Sequence, residues 1–321
     1  MTQDPEVLVV GETLIDFLPS EPGPLPAVES FSRRAGGAAA NVAICLSRLD
    51  AAPSFLSNVA ADGFGDFLVE TLVSNGVSSE LLTRDPSHET TLAFVTHDAA
   101  GDRSFSFHGT DTADGYLDSS VVSDATLEGL SWVCIDAPVA LAAPNSRGAI
   151  VDLCERARER DCSVAFDPNT RRDRWSDDET FFESLDRLLS LTDICKTSAD
   201  DLRRTPFAAE RAVELARNVQ RAGPHTVFIT EGAGGASVYS AERAPWGAGS
   251  HTHAGYDVSV ADTTGAGDAF LGGVLAALLA KEDPEEVLEF ATGVAALTTT
   301  EMGAISALPD REAVRTLRES A

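Results

Sequence analysis

Short apolar runs alternate along this chain with segments of helical periodicity, and this alternation constrains the fold more than any other feature. Runs predicted as buried strands lie at 6–11, 53–60, 132–136, 164–167, 193–196 and 226–230. Segments predicted as helices lie at 38–48, 64–72, 144–160, 177–190, 208–221 and 269–280. Such alternation is typical of a mainly parallel sheet covered by helices on both faces. We therefore expect an α/β protein in which residues 1–321 form a single domain.

One stretch interrupts the alternation. In 90–97 and 103–108 apolar residues alternate with polar ones, as Phe105 and Phe107 illustrate, and a short turn rich in Asp and Gly joins the two runs. This period of two is typical of a β-hairpin with one apolar face. The hairpin is either an edge of the main sheet or a flap that closes over a ligand, and the pattern leaves both possibilities open.

The net charge narrows the range of partners. Against 24 basic residues the chain has 51 acidic ones, which gives a net charge of −27. So negative a field disfavours nucleic acid and anionic membranes as partners. The acidic residues are spread along the whole chain and Lys occurs only at Lys196 and Lys281. This pattern resembles proteins of salt-accumulating organisms, so we expect a halophilic protein.

The N-terminal segment bears on localisation. It is acidic and leads directly into an apolar strand, whereas a signal peptide needs a basic start and a longer apolar region. No apolar stretch of the sequence reaches the ~18 residues that a membrane span needs. We therefore expect a cytoplasmic protein.

The strongest sign of chemistry is the segment Asp262-Thr263-Thr264-Gly265-Ala266-Gly267-Asp268, which opens an apolar helix. Small residues at 265–267 leave their backbone N–H groups accessible, and the helix N-terminus carries partial positive charge, so the segment is predicted to cradle an anion. The same dipole is expected to keep Asp268 ionised, and its carboxylate could then accept a proton from a hydroxyl that attacks phosphorus. Taken alone, an Asp in a first helical turn is more often a cap.

Two further glycine clusters are weaker signals. Gly36-Gly37-Ala38-Ala39-Ala40-Asn41 opens a helix, and Thr230-Glu231-Gly232-Ala233-Gly234-Gly235 follows a strand. Each alone is most often a turn, but three such turns at strand ends indicate a ligand site at the carboxyl edge of an α/β sheet. The sequence contains no Walker A motif and no Gly-x-Gly-x-x-Gly after its first strand, which argues against a P-loop enzyme and an NAD-dependent dehydrogenase.

Together these motifs resemble the PfkB/ribokinase family of carbohydrate kinases over nearly the full chain, and its fructokinases in particular. Gly36, Gly37 and Asn41 match the family's Gly-Gly-x-x-x-Asn motif, and 262–268 match Asp-Thr-x-Gly-Ala-Gly-Asp. Segment 11–17 resembles the family's first strand, whose aspartate is Asp16 here. Segment 166–171 with Trp175 resembles the fructokinase Asp-Pro-Asn-x-Arg…Trp pattern, and 91–95 with 105–107 resembles the lid of that group.

The resemblance implies a ribokinase-like fold with a small β-lid built from segments near 12–20, 30–36 and 88–110. It also implies an enzyme that uses ATP and Mg²⁺ to transfer the γ-phosphate to a sugar hydroxyl, with fructose the expected substrate. Asp268 would be the base, and the amides of Gly265, Ala266 and Gly267 would stabilise the phosphate in transfer. The residues implied in sugar binding are Asp16, Gly36, Gly37, Asn41, Phe105, Arg171 and Asp268. Those implied in nucleotide binding are Lys196, Ser198, Thr230, Gly232, Gly235, Gly265, Gly267 and Thr292.

The resemblance further implies an indirect Mg²⁺ role for Asp201, a K⁺ ion near Asp262 and Thr264, and a homodimer formed through the β-lids. The chain departs from the family at a few positions. Segment 198–201 replaces Asn-x-x-Glu, so the carboxylate of Asp201 reaches one carbon less far. Thr292 replaces a frequent Asn near the adenine, and Gly109 replaces the usual lid arginine.

Two alternatives remain open. A 2-keto-3-deoxygluconate kinase has the same fold and similar motifs, but such kinases resemble one another in placing Tyr and Arg on the lid, where this chain has Phe105 to Gly109. Arg171 is the one cation that would favour the acid. The other alternative is a non-catalytic regulator that binds a sugar or a nucleotide on the same scaffold. The intact Asp268 favours an enzyme over a regulator.

Overall fold

The computed structural model describes residues 5–21, 23–97 and 103–320, so the turn expected at 98–102 lies outside the described residues. The strands are β1 Val7–Val10, β2 Leu14–Pro19, β3 Phe31–Gly36, β4 Ser54–Ala60, β5 Leu82–Asp85, β6 Leu92–His97, β7 Arg103–His108, β8 Trp132–Ile135, β9 Ser163–Phe166, β10 Ile194–Ser198, β11 Thr226–Thr230, β12 Ala236–Ser240 and β13 Gly249–His253. The helices are α1 Ala38–Arg48, α2 Gly63–Ser74, α3 Asp124–Glu128, α4 Pro144–Arg158, α5 Asp178–Leu191, α6 Ala199–Leu202, α7 Ala212–Ala222, α8 Ala266–Leu279, α9 Pro284–Thr298 and α10 Arg311–Ser320.

A nine-stranded sheet forms the centre of the molecule, in the order β13-β12-β11-β10-β9-β8-β1-β4-β5. Its pairs are parallel from β5 to β11, whereas β12 and β13 are antiparallel. Strands β1, β8, β9, β10 and β11 are almost entirely buried, as expected for parallel strands covered on both faces. The predicted α/β fold with a mainly parallel sheet is therefore confirmed.

Helices cover the two faces of this sheet with separate hydrophobic cores. One core joins α1, α8 and α9 to the sheet, and the other joins α4, α5 and α7 to its opposite face. Helix α8 is apolar nearly all round because it lies between α1, α9 and the sheet, and its residues 269–277 are buried. The segment that opens α8 is therefore held on a rigid, buried element. No helix among the described residues is long and apolar enough to cross a membrane.

A second sheet of four strands, in the order β3-β2-β6-β7, is separate from the central one. The β6–β7 hairpin belongs to this sheet, so the structure decides against an edge hairpin on the main sheet. Register places Phe17 and Phe94 on one face of the small sheet, and Asp16, Phe105 and Phe107 on the other. The second sheet thus has an outer aromatic face and an inner face that carries a carboxylate.

Candidate active site

A cavity of about 370 Å³ lies between the carboxyl ends of the central strands and the inner face of the second sheet; we call it the central cavity. Predicted site residues that line it are Asp16, Gly37, Asn41, Phe105, Arg171, Lys196, Asp201, Thr264, Gly265, Gly267 and Asp268. Residues that line it but were not predicted as site residues are Glu12, Leu14, Ala38, Phe107, Pro138, Val139, Asn169 and Thr263. Two of the three glycine clusters therefore meet at one site.

The predicted anion cradle is built by the turn that opens α8. Gly265 has a left-handed backbone with φ 77°, and a Cβ there would lie 2.6 Å from the Cβ of Ala304, so both the conformation and the space require glycine. Asp262 holds the turn in place because its Oδ1 accepts from Thr264 N at 2.7 Å and its Oδ2 accepts from Gly303 N at 2.8 Å. The N-terminus of α8, with its partial positive charge, therefore points into the central cavity.

Asp268 lies in the first turn of α8 and joins the two glycine clusters. Its Oδ2 accepts a hydrogen bond of 2.8 Å from Asn41 Nδ2, across 227 residues of sequence. The N-cap of α8 is Gly265, and among the described residues the side chain of Asp268 bonds to Asn41 rather than to the backbone of its own first turn, so the structure does not give Asp268 a capping role. Burial raises its pKa, while the Asn41 bond, Lys196 and Arg171 oppose that rise. The helix dipole alone thus does not set the charge of Asp268. A raised pKa makes its carboxylate a stronger base, which suits a general base near neutral pH.

Of the sugar-binding residues that the resemblance implies, Asp16, Gly36 and Phe105 belong to the second sheet, and Arg171 approaches them from the segment that follows β9. Asp16 faces Asp268 across the central cavity, and burial together with Asp268 raises its pKa to about 7, against the opposing charge of Arg171. The Arg171 guanidinium carbon lies 5.8 Å from the centre of the Phe105 ring. Gly36 lies directly behind the Asp16 carboxylate, where a Cβ would collide with it. This wall therefore combines one carboxyl, one cation and an aromatic surface.

The predicted nucleotide residues are divided by the structure. Lys196, Gly265 and Gly267 line the central cavity. Ser198 is the N-cap of α6 and forms a capping box with Asp201, whose carboxylate lines the cavity. The predicted nucleotide residues outside the cavity lining are Ser198, Thr230 at the end of β11, Gly232 and Gly235 in the turn to β12, and Thr292 in α9. Ala266, whose amide was predicted to stabilise the phosphate in transfer, also lies outside the lining. The Thr292 hydroxyl donates to Leu288 O at 2.7 Å within its own helix.

The metal-binding predictions depend on oxygen donors near the cradle. Among the residues that the structure describes, no group of three or more His, Cys, Asp and Glu side chains is arranged to hold a metal ion. Ser198 donates to Asp201 Oδ2 at 2.6 Å, and Asp201 lines the central cavity. A single carboxylate of this kind suits Mg²⁺, because this ion keeps several waters as ligands and substrate phosphates complete its coordination. The buried Asp262 carboxylate has the charge and the donor type that a monovalent cation requires.

Some residues at the site escaped prediction. Glu12 is buried in the cavity wall; burial and the nearby Asp114 raise its pKa to about 8, although its oxygens accept from Val139 N and Ala140 N. Asp136 and Asp167, fully buried, form a hydrogen-bonded network with Asn169 and Lys196. Their position in the sequence could have identified these residues. Glu12 closely follows the end of buried strand β1, and Asp136 and Asp167 directly follow the buried strands β8 and β9.

Known proteins are similar to this chain in sequence and in fold. Residues 4–311 match the pfkB family of carbohydrate kinases. The fructokinase of Klebsiella pneumoniae is 33% identical over 313 residues, which covers 96% of this chain and 97% of that protein. The fructokinase of Xylella fastidiosa with bound ATP superposes with a TM-score of 0.85 at 30% identity and covers 98% of both chains. The Vibrio cholerae fructokinase with fructose, ADP and calcium ion gives a TM-score of 0.84 at 29% identity, over 98% of this chain and 99% of that one.

The fold and the cavity define a class of protein. An open α/β sheet whose carboxyl edge combines a helix N-terminus, a buried carboxylate in the first turn of that helix, and a facing wall with a second carboxyl and an aromatic ring suits phosphoryl transfer to a small alcohol. The matches agree with this class along nearly the full chain. The chain belongs to the pfkB family of carbohydrate kinases.

Proposed function

We propose that this protein transfers the γ-phosphate of ATP to a hydroxyl of fructose. The observation that carries the proposal is the 2.8 Å bond between Asn41 and Asp268, which holds a carboxylate of raised pKa beside the N-terminus of α8 and opposite Asp16. The names of the similar proteins, fructokinases with bound ATP or with fructose and ADP, support the choice of both substrates.

The roles of the residues follow from their positions. Asp268 accepts the proton of the attacking hydroxyl, and the backbone N–H groups at 265–267 stabilise negative charge on the phosphate in transfer. Asp16 and Asn41 bind sugar hydroxyls, and Phe105 covers an apolar face of the sugar. Lys196 supplies positive charge beside the cradle for the nucleotide phosphates.

The ions, the adenine contacts and the assembly are part of the same proposal. Mg²⁺ would be held through Asp201 together with the phosphates of ATP and would neutralise their charge; K⁺ would lie near Asp262 and Thr264. Ser198, Thr230, Gly232, Gly235 and Thr292 would contribute to the nucleotide site. The partly exposed outer aromatic face of the second sheet, with Phe17, Phe31 and Phe94, supports a homodimer through the β-lids. We further propose a cytoplasmic, salt-adapted enzyme, whose charge of −27 makes molar KCl the appropriate assay medium.

The alternative substrate, 2-keto-3-deoxygluconate, carries a carboxylate that the site must neutralise. Asp16 repels this anion less than a fully ionised carboxylate, because its pKa is raised to about 7. Arg171, however, already stacks near Phe105 and faces both Asp16 and Asp268, and the lid offers no second cation at Gly109. The neutral ketose is therefore favoured.

Steady-state kinetics with ATP and Mg²⁺ in high KCl test the substrate. We expect kcat/KM for fructose to exceed that for 2-keto-3-deoxygluconate by at least about 10-fold, which needs only ~1.4 kcal/mol of transition-state discrimination. A preference for the acid would show that Arg171 outweighs the lid. Sugar binding without any sugar-dependent ADP formation would favour the regulator instead.

A further inference from the structure

Lys196 is one of only two lysines in a chain whose other basic residues are arginines, and it lies in the central cavity. Its Nζ donates to Asp167 Oδ2 at 2.6 Å, and the two side chains are 6% and 0% exposed. A buried ion pair contributes little net stability, because desolvation offsets most of the attraction. Its position in the cavity therefore needs another explanation.

The ammonium group is in contact with the anion cradle. A Cβ on Gly267 would lie 2.8 Å from Lys196 Nζ, so the ammonium occupies the space beside the first turn of α8 that a side chain at 267 would need. A compact ammonium fits this space, whereas the planar guanidinium of arginine is larger. The position thus accounts for a lysine here in an arginine-rich chain.

Three residues behind Lys196 hold it through successive hydrogen bonds. Asp167 Oδ1 accepts from Asn169 N at 3.0 Å, and Asn169 Nδ2 donates to Asp136 Oδ1 at 3.0 Å. Asn169 has a left-handed backbone with φ 35°, a conformation that asparagine adopts more readily than most residues. The network crosses the adjacent ends of β8, β9 and β10 and ends at the cradle.

We propose that Asp136, Asn169 and Asp167 are positioning residues that hold the charged ammonium of Lys196 against the phosphate cradle. This inference rests on the proposed function, since it requires a phosphate at that place. The two aspartates have different roles. Asp167 supplies the counter-charge for the Lys196 ammonium, and Asp136 acts as a neutral hydrogen-bond acceptor that fixes the side chain of Asn169.

The charge states of these groups are consistent with those roles. Burial alone would lower the pKa of Lys196, but the charges of Asp167 and Asp201 outweigh burial and raise it. Burial raises the pKa of Asp167 to about 6, against the effect of Lys196, so Asp167 is ionised near neutral pH. Burial and Asp167 raise the pKa of Asp136 well above its usual range. Charged groups that face Lys196 from the neighbouring elements are Asp136, Asp167, Asp201 and Asp268, and Arg171 faces Asp268.

The decisive variant is Asp167→Asn, studied across pH. Without its counter-charge the buried ammonium is expected to lose its proton as pH rises. In this variant kcat/KM for ATP should therefore fall at least about tenfold between about pH 6.5 and 9.5, whereas the wild type should show no such decrease. The matched control is Asp193→Asn at the other end of β10, where Asp193 pairs with Arg158 at 3.0 Å away from the cavity; its pH profile should equal that of the wild type. An Asp167→Asn enzyme with the wild-type pH profile, whether fast or slow, overturns the proposal.

Asp136 supplies a second, independent test. Asp136→Asn keeps a neutral acceptor for Asn169 and should retain at least about half of wild-type kcat, whereas Asp136→Ala should lose about tenfold or more. Equal losses in the two variants would contradict the role of neutral acceptor. If Asp167→Asn does not fold, Asn169→Gly replaces it, because glycine tolerates the φ of 35° and the side-chain hydrogen bond to Asp136 is lost. We then expect a reduced kcat for Asn169→Gly with a nearly unchanged Tm, and a wild-type kcat would overturn the proposal.

A binding measurement separates this inference from the proposed function. The shift in Tm caused by inorganic tripolyphosphate is measured for wild type and Asp167→Asn at both ends of the pH range. If no sugar is phosphorylated by the wild type, the proposed function fails. The positioning role then still predicts that the tripolyphosphate shift of Asp167→Asn shrinks at high pH while that of the wild type does not, and equal shifts would reject it.

Discussion

The two walls of the central cavity are built differently. At the edge of the central sheet, Asp136, Asp167 and Lys196 are buried and bonded to one another or through Asn169, on strands covered by two hydrophobic cores. At the second sheet, the wall consists of aromatic rings and one carboxyl on a small four-stranded sheet. In the proposed function, the phosphate chemistry belongs to the first wall, which we call the rigid wall, and the choice of sugar belongs to the second sheet.

The largest effect is expected at the rigid wall, from Asp268→Asn. The substitution keeps the shape and the helix but removes the proton acceptor, so kcat should fall by roughly 10²–10⁴ with little change in Tm. The control is Asp66→Asn, which makes the same change in the first turn of α2 at an exposed side chain. Near-normal turnover in Asp268→Asn would refute the base.

A second change at the same wall is Gly267→Ala. Its Cβ would lie 2.8 Å from Lys196 Nζ, so the ammonium must shift away from the cradle and kcat should fall about tenfold, as expected for a displaced electrostatic group. Gly148→Ala is the control, because Gly148, like Gly267, lies in a helix and a Cβ there meets no atom within 4 Å. Equal activity of the two alanine variants would show that the cradle tolerates a displaced Lys196.

At the second sheet we expect an effect on binding instead. Phe105→Ala removes an apolar surface from the sugar site, which should raise KM for fructose by up to about tenfold and change kcat by less than about threefold. Ser106→Ala changes the neighbouring residue, whose side chain lies on the opposite face of β7, and should leave both constants unchanged. If Phe105→Ala lowered kcat alone and left KM unchanged, the second sheet would not be the wall that binds the sugar.

The smallest expected effect is the pH dependence of sugar binding. Asp16 accepts stronger hydrogen bonds when ionised, so fructose affinity without ATP should rise a few-fold as pH increases through about 7. Since Asp268 contributes to the raised pKa of Asp16, the midpoint should move to lower pH in Asp268→Asn. Calorimetric titration at several pH values measures both, and an unchanged midpoint would show that the two carboxyls do not interact.

Features that depend on near neighbours in the chain were predictable. The periodicity predicted helix 38–48 and strand 226–230 with the bounds that the structure has, because buried faces repeat with a fixed period. Helix α8 begins at Ala266, three residues before the predicted start at 269, because Gly265 in a left-handed conformation ends the preceding turn. The glycine motifs likewise marked the cradle and Asp268.

What only the tertiary structure decided depends on groups far apart in sequence. The separate second sheet requires the parallel pairing of β2 with β6, which no local pattern reports. Asn41 and Asp268 meet across 227 residues, and the Asp136–Asn169–Asp167–Lys196 network forms only where three strand ends lie side by side. The pKa values of Glu12, Asp16 and Asp268 depend on burial and on charges across the cavity. Conformational preference acts between neighbours along the chain, whereas desolvation and Coulomb interactions act through space, so the sequence alone determined the elements and the motifs, and the folded structure determined the chemistry of the site.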